Sequence, residues 1–431
     1  MLKKALIFVL FGLLALVLTA ALAAWLIVRL ALAPGPDEWP ARVKLGPFAV
    51  EVGVPTAIRL ATSSWFAPWI AGHRFETGLG PVVPGWNEAA NTLELVCAPC
   101  SVPVPAISHA PIRLDRLRVT ARRDAGSLSG VLDAFAPGGA PSAPANADGA
   151  PPVEDVVHAR WDGRLTQKNL QIEIRADEQP IATWYAVLVP DLPERRSARI
   201  GGTLALRAQV ALPAGTFSVL PQISGFSVEG LGTEALANTA GRCGPPSRLA
   251  NDSWLARAVI AAEDQRFFSH PGYDLAELSA ALELNQKAAR TERGGSTLSQ
   301  QLAKILVTGG QQNADRKLRE LLYAVEMEQT LGKSRILQLY LDNAPWGAQI
   351  CGAEAAARTY FKRPARNLEP AQAVWLAAML NNPAAAVRKW QQEGNINLDR
   401  AKYVAEGVRG IGKPQREALL RNVAAAHFAP P

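Results

Sequence analysis

The spacing of the apolar residues changes once along this chain of 431 residues, and the change separates two kinds of structure. Between about 41 and 236, apolar and polar residues alternate, most regularly across 204–212. Such alternation is typical of strands in an antiparallel sheet with one buried face. From 251 onward the apolar residues recur at helical spacing, beginning with Leu255 and Val259. The pattern predicts an α+β multidomain fold, in which a β-rich domain precedes a mostly α-helical domain.

Composition adds one further division within the β-rich region. Residues 136–152 are almost entirely Ala, Pro, Gly, Ser, Asn and Asp, so this stretch has too little apolar bulk to pack and is predicted to be a mobile insert. The predicted units are a start and anchor at 1–33, the β-rich domain at 41–236, the helical domain at 245–390 and a C-terminal extension at 391–431.

The N-terminus carries a membrane signal. Lys3 and Lys4 precede an uncharged, mostly apolar run from Ala5 to Val28, which exceeds the ~20 residues that a bilayer core requires. The lysines favour a cytoplasmic start, so the rest of the chain is expected to be exported. A cleaved signal peptide is the alternative, supported by small residues at 20–24, but its apolar region is normally only about 7–15 residues long. We therefore expect a retained transmembrane helix, single-pass in a bacterial inner membrane, with the bulk of the chain in the periplasm.

The charge of the chain is only modestly positive. The formal net charge is +7, and the basic residues are spread along the sequence without forming a Lys/Arg block. Such a distribution does not indicate nucleic-acid binding, although scattered cations can still meet a phosphate-bearing partner such as a lipid headgroup.

Four cysteines in an exported chain favour disulfides. Cys97 and Cys100 form a C-x-x-C, whereas Cys243 and Cys351 stand alone. We predict the pairs Cys97 with Cys100 and Cys243 with Cys351, although three pairings are possible for four cysteines. A redox motif or half of a zinc site is the alternative for the C-x-x-C, but the chain has no second one.

Three segments of the helical region carry the residues suited to chemistry. They are Glu263–Gly272, Gly294–Lys304 and Arg316–Glu320. A carboxylate stands at each end, and a glycine pair, hydroxyls, amides and cations lie between them. A carboxylate can take a proton from a hydroxyl nucleophile, and cations can hold a departing pyrophosphate. The inventory favours a sugar donor with a phosphate leaving group.

These segments, in this order, resemble the peptidoglycan glycosyltransferases that polymerise lipid II. Lys333–Asn343 and Gly352–Phe361 continue the likeness, which covers about 251–383. The resemblance implies a lysozyme-like fold, an apolar region near 275–284 against the membrane, and inverting transfer with release of undecaprenyl pyrophosphate. No S-x-x-K, S-x-N and K-T-G set of a transpeptidase follows, so the chain resembles the monofunctional members.

The resemblance also assigns roles to individual residues. Glu263 would be the general base. Glu320 would either orient the donor and a divalent ion, Mg2+ or Mn2+, at the pyrophosphate, or position the cations. The substrate-binding residues would be Asp264, Ser296, Thr297, Gln300, Gln301, Lys304, Arg316, Lys317 and Arg319. Structural alternatives remain open: Ser296 or Thr297 could cap the start of a helix with the glutamines on its next turn, and Glu320 could be an i,i+4 partner of Arg316.

Three positions depart from the family pattern. Ile305 stands where the family usually has Asn, and Gln338 and Asp342 stand where it favours Glu and Asn. None of them is one of the two acids, so we expect the chemistry to be retained, with altered donor packing or rate.

Two other functions are consistent with the sequence. One is a lysozyme-like lytic enzyme that uses Glu263 as an acid, although glycosidases normally pair two carboxylates across the bond. The other is a non-catalytic envelope scaffold built on the β-rich domain. That domain shows no nucleophile, metal or phosphate motif, and its role as a spacer or as a binding site for other cell-wall synthesis proteins is a hypothesis.

Overall fold

The computed structural model describes residues 32–45, 48–103, 110–138, 155–239, 243–288, 294–309, 316–347 and 349–430. The predicted transmembrane segment lies almost entirely outside these residues, as does most of the predicted mobile insert. Within the described ranges, no helix combines the length and the apolar character needed to cross a bilayer.

The β-rich region is built from hairpins. Its strands are β1 Pro40–Leu45, β2 Phe48–Gly53, β3 Phe75–Thr77, β4 Gly80–Asn87, β5 Thr92–Cys97, β6 Cys100–Val102, β7 Ile112–Leu114, β8 Arg116–Asp124, β9 Ser127–Phe135, β10 Val156–Leu165, β11 Leu170–Pro180, β12 Arg199–Leu212 and β13 Thr216–Glu229. Nine of the described strands form one antiparallel sheet in the order β13-β12-β11-β10-β9-β8-β5-β4-β3. The predicted alternation across 204–212 falls on β12, which pairs with β13 from Arg199–Glu229 to Ala211–Thr216.

The helices follow mostly after the sheet. They are α1 Val54–Ala61, α2 Ala67–Ile70, α3 Ile181–Leu188, α4 Trp254–Glu263, α5 Leu275–Ala288, α6 Leu298–Ala303, α7 Arg316–Thr330, α8 Gly332–Asn343, α9 Ala353–Phe361, α10 Pro370–Met379, α11 Pro383–Glu393, α12 Leu398–Gly407 and α13 Lys413–Ala425. The predicted combination of a β-rich region and a helical region is therefore present.

The core of the helical unit surrounds α10, which is buried along nearly its whole length. A helix that is apolar on all sides belongs in the middle of a domain, and α4 and α12 pack beside it. Residues 398–425, predicted as a separate extension, place Val404 and Leu419 in this same core. The structure thus extends the helical unit well beyond the predicted boundary at 390.

The two regions meet along α7. Buried side chains of α3, β13 and α7 form one apolar cluster, which includes Tyr185, Val228 and Leu322. The helix that carries Glu320 therefore packs against both the helical core and the sheet.

The cysteines are joined as Cys97–Cys100 and Cys243–Cys351, the pairing predicted from the sequence. The first bond spans three residues of one tight turn. The second spans 108 residues and ties the entrance of the helical unit to the loop before α9.

We expect the two disulfides to differ in their effect on stability. In the chain-entropy account, a loop of ~100 residues contributes about 5 kcal/mol and a loop of a few residues about 2 kcal/mol. Replacing Cys243 and Cys351 with Ser should therefore lower the free energy of unfolding more than the same change at Cys97 and Cys100. Urea denaturation followed by tryptophan fluorescence measures both, and equal losses would contradict the prediction.

Candidate active site

Glu263 is the last residue of α4, and its side chain is 12% exposed. Ser253 caps the start of this helix, and a stripe of buried residues that includes Leu255 and Val259 holds it against the core. The backbone leaves the helix at Asp264, so Glu263 sits where α4 gives way to the turn that follows.

Asp264 joins this turn to the start of α6. Its carboxylate accepts hydrogen bonds from His270 Nε2 at 2.9 Å and from the backbone N–H of Leu298 at 2.9 Å. The other ring nitrogen of His270, Nδ1, accepts the N–H of Gly272 at 3.1 Å, so Nε2 is the nitrogen that donates to Asp264. Both side chains are buried, and their polar atoms are engaged in holding the first two sequence segments together. His270 thus has a structural role.

Gly272 brings a third element into the same contact. Its φ is +95°, and a Cβ at this position would lie 3.0 Å from the carbonyl oxygen of Ala324 on α7. Its own carbonyl accepts the hydroxyl of Thr297 at 2.7 Å. A side chain would be excluded by both the left-handed backbone and the close approach, so glycine allows the turn to lie between α6 and α7.

Thr297 and Gln300 form a capping box at the start of α6. The N–H of Gln300 donates to Thr297 Oγ1 at 3.2 Å, and the N–H of Thr297 donates to Gln300 Oε1 at 3.0 Å. The structural alternative for these two residues is therefore present. Their binding of substrate stays a prediction, and the observed contacts make them supports for the neighbouring Ser296 and Gln301.

Gln301 contacts Glu263 directly. Its amide Nε2 donates to Glu263 Oε2 at 3.0 Å, and its Oε1 accepts the Tyr340 hydroxyl at 3.0 Å. Burial, together with the charge of Glu263, raises the pKa of Tyr340 well above its ordinary value, so the phenol keeps its proton and donates. Because Tyr340 occupies the amide oxygen, the NH2 group of Gln301 faces the carboxylate.

Arg400 is a second partner of Glu263 that sequence reasoning missed. Its Nη2 lies 3.4 Å from Glu263 Oε1 and donates to the carbonyl of Ala262 at 2.6 Å. It comes from α12, within the predicted C-terminal extension, and the sequence there shows no segment that marks it. Only the packing of α12 beside α4 brings it to the site.

Glu320 lies among cations on α7. Its side chain is 1% exposed, with Lys317 Nζ at 2.9 Å and Arg316 Nε at 3.1 Å. Lys317 is about half exposed and also donates to Ser296 Oγ at 2.8 Å. Arg316, Lys317 and Glu320 lie in the first turn and a half of α7, and the N-terminal end of a helix attracts anions. We call Ser296, Arg316, Lys317 and Glu320 the cationic cluster.

The segment 294–303 connects this cluster to the first acid. Ser296 at its start contacts Lys317, and Gln301 one turn into α6 contacts Glu263. Glu263 contacts this segment directly, through Gln301, whereas Glu320 reaches it through Lys317, which also contacts Ser296. Binding of one substrate between the two acids stays a prediction.

The remaining candidates lie elsewhere or have other partners. Lys304 is exposed immediately after α6, at the start of the π-helical turn Lys304–Thr308. Arg319 pairs with Glu194 of the β-rich region, so we leave it out of the proposed substrate-binding set. Ile305 packs partly buried against the core, and Asp342 accepts the N–H and hydroxyl of Ser247 at 2.8 and 2.7 Å. The departure at Asp342 thus has a structural use.

The comparisons with known proteins bear on this same region. Residues 248–408 match the family model described as Transglycosylase. This segment is a transglycosylase domain. The resemblance predicted over 251–383 is confirmed, and the match extends it far enough to include Arg400.

Three similar relatives are each described as a biosynthetic peptidoglycan transglycosylase. The protein of Nitrosomonas eutropha is 46% identical over 129 residues, which cover 30% of this chain and 53% of the relative. That of Azoarcus sp. is 45% identical over 148 residues, or 34% and 64% of the two chains. That of Alcanivorax borkumensis is 48% identical over 130 residues, or 30% and 53%. The chain thus spans between about half and two thirds of the length of these relatives.

Proposed function

We propose that this chain polymerises lipid II into glycan strands by inverting glycosyl transfer, with release of undecaprenyl pyrophosphate. The observation that carries the proposal is the bridge of Lys317 from Ser296 to Glu320, at the far end of the segment that holds Glu263 through Gln301. A base at one end of the segment suits the acceptor hydroxyl that attacks the sugar, and cations at the other end suit the pyrophosphate that leaves it.

In this mechanism Glu263 removes the proton from the acceptor sugar hydroxyl. The hydroxyl oxygen attacks the anomeric carbon of the donor, and the new carbon–oxygen bond forms on the face opposite the leaving group. The bond from that carbon to the phosphate oxygen breaks, and its electron pair leaves with the pyrophosphate. Lys317 and Arg316 neutralise the developing charge there, and Glu320 holds both cations in place.

Three residues hold Glu263 for this task. Gln301 donates to one carboxylate oxygen, Arg400 lies beside the other, and Tyr340 orients Gln301. A base held in one geometry by packed neighbours spends less free energy on orientation when the acceptor arrives.

We also propose that Glu320 could hold a divalent ion at the pyrophosphate, where the ion would neutralise part of the negative charge. Glu320 is already paired with two cations, and no group of three or more His, Cys, Asp or Glu side chains suited to a metal occurs among the described residues. The donor pyrophosphate would have to supply further oxygen ligands. Polymerisation measured with and without a chelator tests this point.

A lipid-linked substrate requires the domain to work at a bilayer surface. Phe268, Leu278 and Leu284 are 56%, 41% and 43% exposed, on α5 and the turn before it. Exposed apolar side chains of this kind favour contact with lipid. Together with the apolar run Ala5–Val28, they support the proposed location as a single-pass protein of the inner membrane, with the bulk of the chain in the periplasm.

The reaction class is tested by giving the purified full-length protein two substrates, lipid II and finished glycan. We expect polymer and undecaprenyl pyrophosphate from lipid II, and no cleavage of finished glycan. A lytic enzyme would do the reverse, and a scaffold would leave both unchanged. The ion pairs of Glu320 already argue against a lytic role, because a glycosidase needs its second carboxylate free to face the sugar.

A further inference from the structure

The helix α7 contributes residues both to the cationic cluster and to the interface with the β-rich region. Arg316, Lys317 and Glu320 belong to the cationic cluster on one side. At ~3.6 residues per turn, most of the side chains that contact the β-rich region lie on the other side of the helix, while Arg319 and Tyr323 lie at the border between the two sides. These are Leu318, Arg319, Leu322, Tyr323, Val325, Glu326, Gln329 and Thr330. The β-rich region therefore packs against the same helix that carries Arg316, Lys317 and Glu320 of the cationic cluster.

The polar contact nearest the cluster is made by Glu194, from the short helical turn Pro193–Arg196. Its carboxylate is 5% exposed and accepts Arg319 Nε at 2.7 Å and the Tyr323 hydroxyl at 3.3 Å. Arg319 directly precedes Glu320 in the chain. The pair thus fixes the backbone of α7 within its first turn, where the cationic cluster lies.

A second contact holds the middle of the helix. Glu326 is 2% exposed and accepts the backbone N–H groups of Leu231 at 2.7 Å and Thr233 at 3.1 Å. These N–H groups follow the end of β13, so α7 completes hydrogen bonds that the sheet leaves open. A carboxylate buried with two N–H donors is costly to displace.

Apolar packing closes the interface between these contacts. Val228 and Leu322 are fully buried, and Tyr185 is 4% exposed. Burial raises the pKa of Tyr185, so its hydroxyl stays protonated and donates to the carbonyl of Leu318 at 3.0 Å. Leu318 stands between Lys317 and Arg319 in the chain, so this hydrogen bond is a third contact between the β-rich region and the first turn of α7.

We propose that the β-rich domain positions the donor side of the active site, and that Glu194 is the positioning residue through which it does so. The inference rests on the proposed function for the role of the cationic cluster. Glu194 touches no reacting atom in this account. It holds Arg319, and through the helix backbone it holds Lys317 and Glu320 at the place where the pyrophosphate leaves.

The test uses the full chain with Glu194→Gln, Arg319→Gln and the double variant. The control is Glu229→Gln, which breaks an exposed pair with Arg199 on the same sheet. We expect each single variant to weaken binding of undecaprenyl pyrophosphate in detergent by about 5–20-fold, with a similar loss in kcat. The double variant should bind undecaprenyl pyrophosphate no more weakly than the single variant with the larger loss, because the two residues act as one unit. The control should stay within twofold.

Hydrogen exchange of the peptide covering 316–323 gives a readout that does not need turnover. It should quicken in Glu194→Gln and stay unchanged in Glu229→Gln. Unchanged exchange, or faster exchange with full pyrophosphate affinity, would overturn the positioning role. If the wild-type protein fails to polymerise lipid II, the proposed function fails, while the exchange and binding arms still decide whether Glu194 controls the cluster.

Discussion

Replacing Glu263 with Gln is expected to lower kcat for lipid II polymerisation by about 10³-fold. General base catalysis contributes ~10²–10⁴-fold, and the amide cannot accept the hydroxyl proton. The substitution keeps the shape of the side chain, so the contacts of Gln301 and Arg400 change little in space. The measurement is the initial rate of polymer formation by purified protein at saturating lipid II.

The matched control is Glu406→Gln, at an exposed position of α12, the helix that also carries Arg400. It should retain the wild-type rate. Circular dichroism and the thermal midpoint of Glu263→Gln should stay near those of the wild type. Polymerisation that survives Glu263→Gln at more than a tenth of the wild-type rate would remove Glu263 as the base.

Replacing Glu320 with Gln is expected to reduce both activity and stability. The carboxylate is 1% exposed between Lys317 and Arg316, and breaking a fully buried ion pair costs ~3–5 kcal/mol. Because both cations are partly exposed, we expect a smaller loss of about 2 kcal/mol in the free energy of unfolding. The rate should fall by about 10²-fold, as the cations are no longer held at the leaving group.

A control with the same spacing separates this from an ordinary helix-surface pair. Lys389 and Glu393 are also four residues apart, and both are exposed. Glu393→Gln should change the free energy of unfolding by less than ~0.5 kcal/mol and leave the rate unchanged. If Glu320→Gln behaves like Glu393→Gln in urea denaturation and in rate, Glu320 is only a helix partner of Arg316 and has no role at the leaving group.

Local sequence patterns predicted the parts of this structure that depend on local physics. Alternation placed β12, because a half-buried strand must alternate. Thr297 starts a helix, as one reading of its sequence predicted, because its hydroxyl satisfies a backbone N–H group that the helix leaves open. The order of acids, hydroxyls and cations in three segments predicted one shared site, and the segment 294–303 contacts Glu263 through Gln301 and Lys317 through Ser296, while the binding of substrate there stays a prediction.

Contacts made across long stretches of chain could not be predicted in the same way. Arg400 reaches Glu263 from 137 residues away, and Glu194 reaches Arg319 across 125. Neither belongs to a pattern, since each depends on how whole elements pack. Arg319 shows the consequence: beside Lys317 and Glu320 in sequence, it resembles another phosphate ligand, but one step of ~100° around the helix turns it toward the β-rich domain.

In the proposed mechanism the pyrophosphate leaves at the cationic cluster, and the base Glu263 acts at the other end of the segment 294–303. Binding of undecaprenyl pyrophosphate to Lys317→Ala and to Glu263→Gln tests it most directly. Lys317 is about half exposed, so its removal should leave the fold intact. We expect Lys317→Ala to weaken binding about tenfold, since a charge-assisted hydrogen bond is worth ~1.5–3 kcal/mol, while Glu263→Gln stays within twofold of the wild type. Equal affinities for the wild type and Lys317→Ala, or a loss confined to Glu263→Gln, would contradict the account.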